Sequence, residues 1–310
     1  MQSNYGATIP HGALLKGWAC PARGERNGKQ NAEHHRSQCG TREADNVPTD
    51  PPVDKEETKG SVARLASYRD GLLLAIKSSG TDHWERHLTG DELVHILDGT
   101  ATLEIVCDDG PPKSFALRAG MIAVISQGAW HRALSAEGKT EMTATPFPGD
   151  HIERDVDDPR SIDGKLAGAI AVTPSIIDLT AELAKLTTFH GRTPRSTIAD
   201  RKGSAARLAS YRDGALTATK FAGKGYWESH LAGDELIHVL DGTATLEIAC
   251  NDGPPKSFAL RAGMIAVNPQ GTWHRFHSSE GVTLMTATPS PSEVIEFDVD
   301  DPRRVERKPA

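Results

Sequence analysis

The sequence predicts an all-β protein built from two successive copies of one small domain, and three observations lead there. Residues 64–160 return at 207–303, an offset of 143 (207 − 64), with roughly 70 of 97 aligned positions identical and no gap. Within a copy, short apolar runs follow one another: LLLAI, ELVHIL, ATLEIV, SFALRA and MIAVI in the first. Between the runs stand turn formers: Ser79-Gly80, Thr89-Gly90, Asp98-Gly99, Asp109-Gly110-Pro111-Pro112 and Gln127-Gly128. Short strands spaced about 8–12 residues apart belong to sandwiches or small barrels. A period this long is no solenoid repeat, so each copy should be a domain with its own core.

The elements divide the 310 residues as follows. Residues 1–60 are rich in Gly, Pro, Asn, His and charge and read as a disordered leader. Its Cys20, His34, His35 and Cys39 have no closed zinc-module spacing. The first β-domain is expected over 61–160, a linker over 161–173, and a helix plus the second β-domain over 174–303, with a tail at 304–310. The helix is predicted over Pro174–Thr187, where Ile176, Leu179, Leu183 and Leu186 form one apolar stripe. Thr173 or Ser175 would cap it, and Pro174 suits its first turn. Its apolar face is expected to lie on the second domain or on a neighbouring subunit. No equivalent precedes the first copy.

Composition excludes several functions. The net charge is −7, with Lys and Arg scattered, and aromatic residues make up 5% of the chain, so no nucleic-acid surface is indicated. No apolar run approaches the ~18 residues of a membrane helix, and the N-terminus lacks a signal-peptide core. Of four cysteines, Cys107 and Cys250 are one position in two copies, and no disulfide framework emerges. A cytoplasmic setting is the expectation.

The chemistry-bearing residues recur in both copies. Glu228 and His230 are two apart on a strand and share a face; Glu235 follows after a short turn, then Gly242, and His274 closes the run Gly263-MIAVNPQGTWH. The first copy has Glu85, His87, Glu92, Gly99, Gly120 and His131 in the same places. Two carboxylates and two imidazoles facing a narrow interior would be costly without a cation, because paired buried carboxylates repel. Mixed oxygen and nitrogen ligation suits Mn, Fe or Ni as well as Zn. Two carboxylate ligands would neutralise a divalent ion and weaken it as a Lewis acid. If Glu85 instead stands back, a two-His, one-carboxylate face remains, as in oxygen-using iron sites.

These spacings resemble the cupin superfamily. His87-x4-Glu92-x6-Gly99 and His230-x4-Glu235-x6-Gly242 match its first motif from the second His onward, and Gly263-x5-Pro269-x-Gly271-x2-His274 matches the core of its second. The resemblance covers both repeats and implies two cupin-type antiparallel barrels (jelly rolls) in tandem, a bicupin, each holding a metal in its mouth. The chain departs from the pattern where Glu85 and Glu228 replace the first His, where Ser126 replaces the Pro, and where the final Asn is absent. The implied function is metal-dependent binding of, or action on, a small oxygenated metabolite. A non-catalytic metal- or ligand-sensing module and an iron-dependent dioxygenase are the alternatives. No catalytic residue is singled out. Besides the small ligand, a second copy of the chain is a candidate partner, since barrel edges are covered either by a partner or by the sister domain.

Other residues read as structural. His95 and His238 fall on the opposite strand face from the Glu. Trp84, Trp227, Trp130 and Trp273 are expected in the core. Arg132 and Arg275 should face outward, and Asp91 and Asp234 should hold a turn. His277, matched by Leu134, is a feature by which the two pockets would differ. Lys139 and Glu141 replace Val282 and Leu284, and with Ser126 this suggests a less constrained first domain, leaving any activity to the second.

Overall fold

A computed structural model describes residues 61–106, 110–152, 156–161, 174–250 and 253–305. The leader, residues 162–173, Cys107 and residues 306–310 lie outside them, so the readings of residues 1–60 and of nearly all the linker do too. The first copy forms β1 (Val62–Tyr68), β2 (Gly71–Thr81), β3 (Trp84–His87), β4 (Glu92–Ile105), β5 (Lys113–Arg118), β6 (Met121–Ile125), β7 (His131–Pro146) and β8 (Gly149–Ile152). A connecting segment carries β9 (Ser175–Asp178), α1 (Leu179–Ala184) and β10 (Phe189–Arg192). The second copy forms β11 (Ala205–Tyr211), β12 (Gly214–Lys224), β13 (Trp227–His230), β14 (Glu235–Ala249), β15 (Lys256–Arg261), β16 (Ile265–Asn268), β17 (Trp273–Pro289) and β18 (Ser292–Ile295). No helix among the described residues is long and apolar enough to cross a membrane.

Each copy is wound around its longest strands. In barrel 1, β4 pairs with β5, β6 and β7, and β7 pairs with β2 and β3. Barrel 2 repeats this with β14 and β17. Strand alternation sends one face inward: Val94, Ile96, Leu103, Leu117 and Ile125 in barrel 1, and Phe221, Ile237, Val239, Leu246, Phe276 and Leu284 in barrel 2. The glycine that closes the first sequence motif is obligatory. Gly242 has φ 76°, and a Cβ there would stand 2.2 Å from the Gly281 carbonyl oxygen. Gly99 is the same in barrel 1.

The outward face is not solvated, because the barrels bury it against each other. Tyr68, Leu73, Leu93, Met142 and Ala144 join Tyr211, Leu216, Leu236, Met285 and Ala287 in one cluster. Each large side chain there contributes about 1.5–3 kcal/mol. His95 and His238 meet across this interface with ring centroids 5.5 Å apart, so the expectation that they face away from the site holds. The rim is pinned twice by a near-twofold exchange. Arg69, at φ 52°, donates its backbone N–H to Asp234 Oδ2 (2.8 Å) and pairs with Asp213 (2.6 Å). Arg212 does the same to Asp91 (2.8 Å) and pairs with Asp70.

The connecting segment differs from the expected long helix. Only Leu179–Ala184 is helical, and Asp178 rather than Thr173 or Ser175 caps it, accepting from Ala181 N (3.0 Å). Residues 175–178 form β9, which pairs antiparallel with β6 of barrel 1. The β-branched pair Ile176-Ile177 fits an open sheet edge, and that pairing overrides the helical period. Leu179 is buried, and Leu183 and Leu186 half-buried, in the cluster between the barrels, rather than on the second barrel by itself or on a neighbouring subunit. The chain then crosses to barrel 2, where β10 pairs parallel with β12.

Candidate metal centres

Strand pairing assembles both sites. β3 lies beside β7 with Glu85 opposite His131, and β13 lies beside β17 with Glu228 opposite His274. The second carboxylate enters from the first residue of β4 or β14. In barrel 1, ligand atoms of Glu85, His87, Glu92 and His131 all lie within 4.8 Å of one another. His87 Nε2 is 3.5 Å from Glu92 Oε2 and 3.9 Å from Glu85 Oε2. His131 Nε2 is 2.9 Å from Glu92 Oε2 and 3.6 Å from Glu85 Oε1. In barrel 2 the group is His230, Glu235 and His274. Glu235 Oε2 lies 3.6 Å from His230 Nε2 and 2.8 Å from His274 Nε2. Glu228 stays outside that group, with its Oε1 3.9 Å from His274 Nε2. The four expected residues are therefore brought together in barrel 1 and three of four in barrel 2.

These groups fit a cation. Ligands about 2.1 Å from an ion stand roughly 3–4 Å from one another, as here. His230 Nε2, His274 Nε2 and Glu235 Oε2 are buried and make no hydrogen bond although two of them are only 2.8 Å apart. Neither ring nitrogen of buried His87 has a hydrogen-bond partner. Without a cation the groups trade protons instead. Burial opposes charge on His131, but Glu85 and Glu92 outweigh it and raise its pKa to about 10. His87 and His274 are raised in the same way, burial being outweighed by Glu92 and Glu235 respectively. Burial also opposes ionisation of Glu92 and Glu235, yet their imidazole neighbours hold both below the usual carboxylate range. Burial, reinforced by Glu235, raises Glu228. A divalent ion would replace those protons.

Beneath the carboxylates runs a shared ladder. Thr145 donates to Glu92 Oε1 (2.6 Å) and sits 2.8 Å from Thr143; Thr288 donates to Glu235 Oε1 (2.6 Å) and sits 2.9 Å from Thr286. The outer supports differ between the barrels. In barrel 2, Ser292 Oγ is 2.9 Å from His230 Nδ1, and Asn268 Nδ2 is 2.8 Å from His274 Nδ1. Asn268 Oδ1 has no partner; turning the amide would let it accept from Nδ1–H and leave Nε2 a lone-pair donor. Barrel 1 has Gly149 and Ile125 at these positions, and His131 Nδ1 stands 3.0 Å from the Ala129 carbonyl oxygen. Barrel 1 adds His151, whose Nδ1 is 3.7 Å from Glu85 Oε2, where barrel 2 has Val294.

The remaining readings resolve as follows. Trp84 and Trp227 are fully buried, donate to the carbonyls of Val156 and Val299, and lie under Arg132 and Arg275. Those arginines pair with Glu104 and Glu247 and do not enter the barrels. Trp130 and Trp273 are core. Asp91 and Asp234 accept from the backbone of Gln127 (3.0 Å) and Gln270 (2.9 Å) in the second-motif turns while gripping the sister barrel. His277 is exposed and borders a surface hollow of about 530 Å³ with Thr245, Leu260 and Met264, which holds none of the Glu/His group.

Lys139 and Glu141, which in the sequence suggest a less constrained first domain, form an organised pair. Both are buried inside barrel 1, paired with each other, and Lys139 Nζ is 3.0 Å from Asp82. Counting by twos from inward-facing His131 reaches both, so opposite charges two apart on an inward face were the available signal. Arg192 was missed for another reason: it enters from the connecting segment, with no counterpart in the repeat to draw attention to it. Its guanidinium lies over Phe221 (4.4 Å) and Tyr226 (5.5 Å).

No protein-family model and no curated protein matches the chain. Solved structures do. Salicylate 1,2-dioxygenase from Pseudaminobacter salicylatoxidans aligns with a TM-score of 0.50 at 10% identity, covering 73% of this chain and 75% of that one. A cupin 2 conserved barrel protein from Leptotrichia buccalis aligns at 0.46 and 12%, covering 74% and 88%. Oxalate decarboxylase from Bacillus subtilis aligns at 0.46 and 12%, covering 74% and 71%. With two sheets wound as tandem jelly-roll barrels and a His/Glu group in each, the chain has the cupin fold in duplicate.

Proposed function

We propose that this protein is a metal-binding bicupin that takes up a small oxygenated molecule at a divalent ion in its barrels. The observation that carries this reading is the buried convergence of imidazole and carboxylate ligand atoms in each barrel, clearest at His230, Glu235 and His274, whose Nε2 and Oε2 atoms make no hydrogen bond. Glu85, His87, Glu92 and His131 would hold the ion in barrel 1, and His230, Glu235 and His274 in barrel 2. The ion would supply positive charge and exchangeable positions for ligand oxygens. The chain's own residues fix it: the threonine ladders orient Glu92 and Glu235, and Ser292 and Asn268 aim the barrel 2 imidazoles. Mixed oxygen and nitrogen donors suit Mn, Fe, Ni or Zn.

One observation favours the dioxygenase alternative for barrel 2. With Glu228 set back, two His and one carboxylate remain, the face that non-haem iron sites use. Chelator-stripped protein refilled with each metal in a thermal-shift series tests the main reading. The expected result is a rise in melting temperature with at least one of the four ions, halved or lost in His131→Ala and His274→Ala. No shift with any ion would refute it.

A further inference from the structure

The two barrels share a backbone but not an interior. On one side of barrel 2, Phe221, Phe276 and Val282 fill the space below the site, with Phe276 edge-on to the His274 ring at 6.0 Å. The guanidinium of Arg192 on β10 lies over the Phe221 ring. The equivalent residues of barrel 1 are Ser78, Ala133 and Lys139, and Leu284 becomes Glu141. Leu74 and Ile76 stand where barrel 2 has Thr217 and Thr219, and Ile76 is the cross-strand neighbour of Glu141, so part of the apolar volume is restored on β2 beside the ion pair. What has been removed is two phenyl rings, and what has been added is a buried ion pair.

The polar groups left there are under-used. Ser78 is the cross-strand neighbour of Lys139, and its Oγ is buried without a partner. Lys139 has three N–H donors, of which Glu141 and Asp82 take two. Glu141 lies on the same face of β7 as His131, Thr143 and Thr145, and therefore faces the same interior as Glu92. A breakdown product of a hydrophobic core would show orphaned charge, whereas here Lys139 is held between two carboxylates and a hydroxyl is held in reserve. The mouth above is also more open: the Glu85 side chain is 32% exposed against 19% for Glu228.

We propose that barrel 1 is the ligand-binding barrel, and that Ser78, Lys139 and Glu141 bind a neutral, hydroxyl-rich molecule of sugar or polyol size reaching in from the metal centre. The proposal rests on the metal-centre reading above. Charge selects the ligand class. Glu85 and Glu92 balance a divalent ion, Glu141 balances Lys139, and Asp82 leaves one negative charge over. An anion entering this interior would meet repulsion, while hydroxyls can accept from Lys139 and donate to Glu141. In barrel 2 the corresponding positions are filled with phenyl rings and aliphatic side chains.

The test uses the full-length, metal-loaded protein, titrated calorimetrically with D-fructose, D-mannose, D-xylose and myo-inositol, and with glycolate and malonate as anionic controls. Metal content is measured on every sample. At least one polyol should bind in the millimolar range or tighter, and more tightly than either acid. Writing barrel 2's own residues into barrel 1 (Ser78→Phe, Ala133→Phe, Lys139→Val, Glu141→Leu) should weaken that binding at least tenfold with metal content unchanged. Glu141→Gln alone should weaken it severalfold if the fourfold variant does not fold, and Phe276→Ala in barrel 2 should leave it unaltered. Absence of polyol binding to protein that carries metal, tighter binding of the acids, or undiminished binding by the Glu141→Gln protein would overturn the proposal. Protein without metal would instead refute the metal-centre reading.

Discussion

Barrel 2 supports the imidazoles of its Glu/His group with side chains, and barrel 1 leaves them freer. Ser292 and Asn268 each contact an Nδ1 in barrel 2, whereas Gly149 and Ile125 stand in their places in barrel 1. Barrel 1 in turn converges four residues able to hold an ion and keeps a charged interior, where barrel 2 converges three above packed phenyl rings. One duplicated sequence has thus been taken in two directions: a rigid site over a closed core, and a looser site over a polar one. Retention of the Glu and His in both copies does not reveal this. The positions that diverged do.

The largest expected effect breaks the buried pair of barrel 1. Lys139→Val alone strands Glu141 in the interior and should destabilise by about 3–5 kcal/mol. Adding Glu141→Leu should recover most of the loss, since that pair of side chains already packs on the same backbone in barrel 2. Denaturant unfolding of the single and double variants checks this; equal losses would mean that the charges are not mutually compensating.

A second prediction concerns what the barrels share. Burial holds His95 at about 3, with His238 adding to the effect, and burial holds His238 at about 4. Both are neutral in the folded protein, but in the unfolded chain they take up protons near pH 6.5. Their contribution is therefore complete above about pH 6.5 and declines as the pH falls toward 4 and then 3. Between pH 7 and pH 5 the loss should be on the order of 3 kcal/mol. His95→Leu with His238→Leu should flatten that part of the stability profile. An unchanged slope would show that the pair titrates alike in both states.

The smallest effects sharpen the contrast between sites. Asn268→Ala or Ser292→Ala should weaken metal binding in barrel 2 by about 10–100-fold, the usual cost of removing a group that orients a ligating His. Ile125→Asn and Gly149→Ser should move barrel 1 the other way. Metal titrations in a background where the other site carries Glu92→Gln or Glu235→Gln read each barrel separately. Equal affinities in the two backgrounds, before and after substitution, would remove the distinction.

Much of this was legible in the sequence because the repeat fixes the domain and strand alternation fixes the faces. Glu92, His131, Glu235 and His274 sit at strand starts, with glycine turns at constrained positions, so local pattern is enough to place them. The set-back of Glu228 was not legible, since a two-residue spacing gives a face but not a rotamer. Nor was β9, where an open edge of barrel 1, invisible in local pattern, captures Ser175–Asp178 from a helical stripe. Lys139 and Glu141 were visible by parity, but their compensation depends on Asp82, more than fifty residues away in sequence.

Elemental analysis of the purified full-length protein tests the central claim most directly. Two equivalents of a divalent transition metal per chain are expected, falling to one in Glu235→Gln and to one in Glu92→Gln. Protein that folds and holds no metal, at any pH where the imidazoles are free to ligate, would contradict the account.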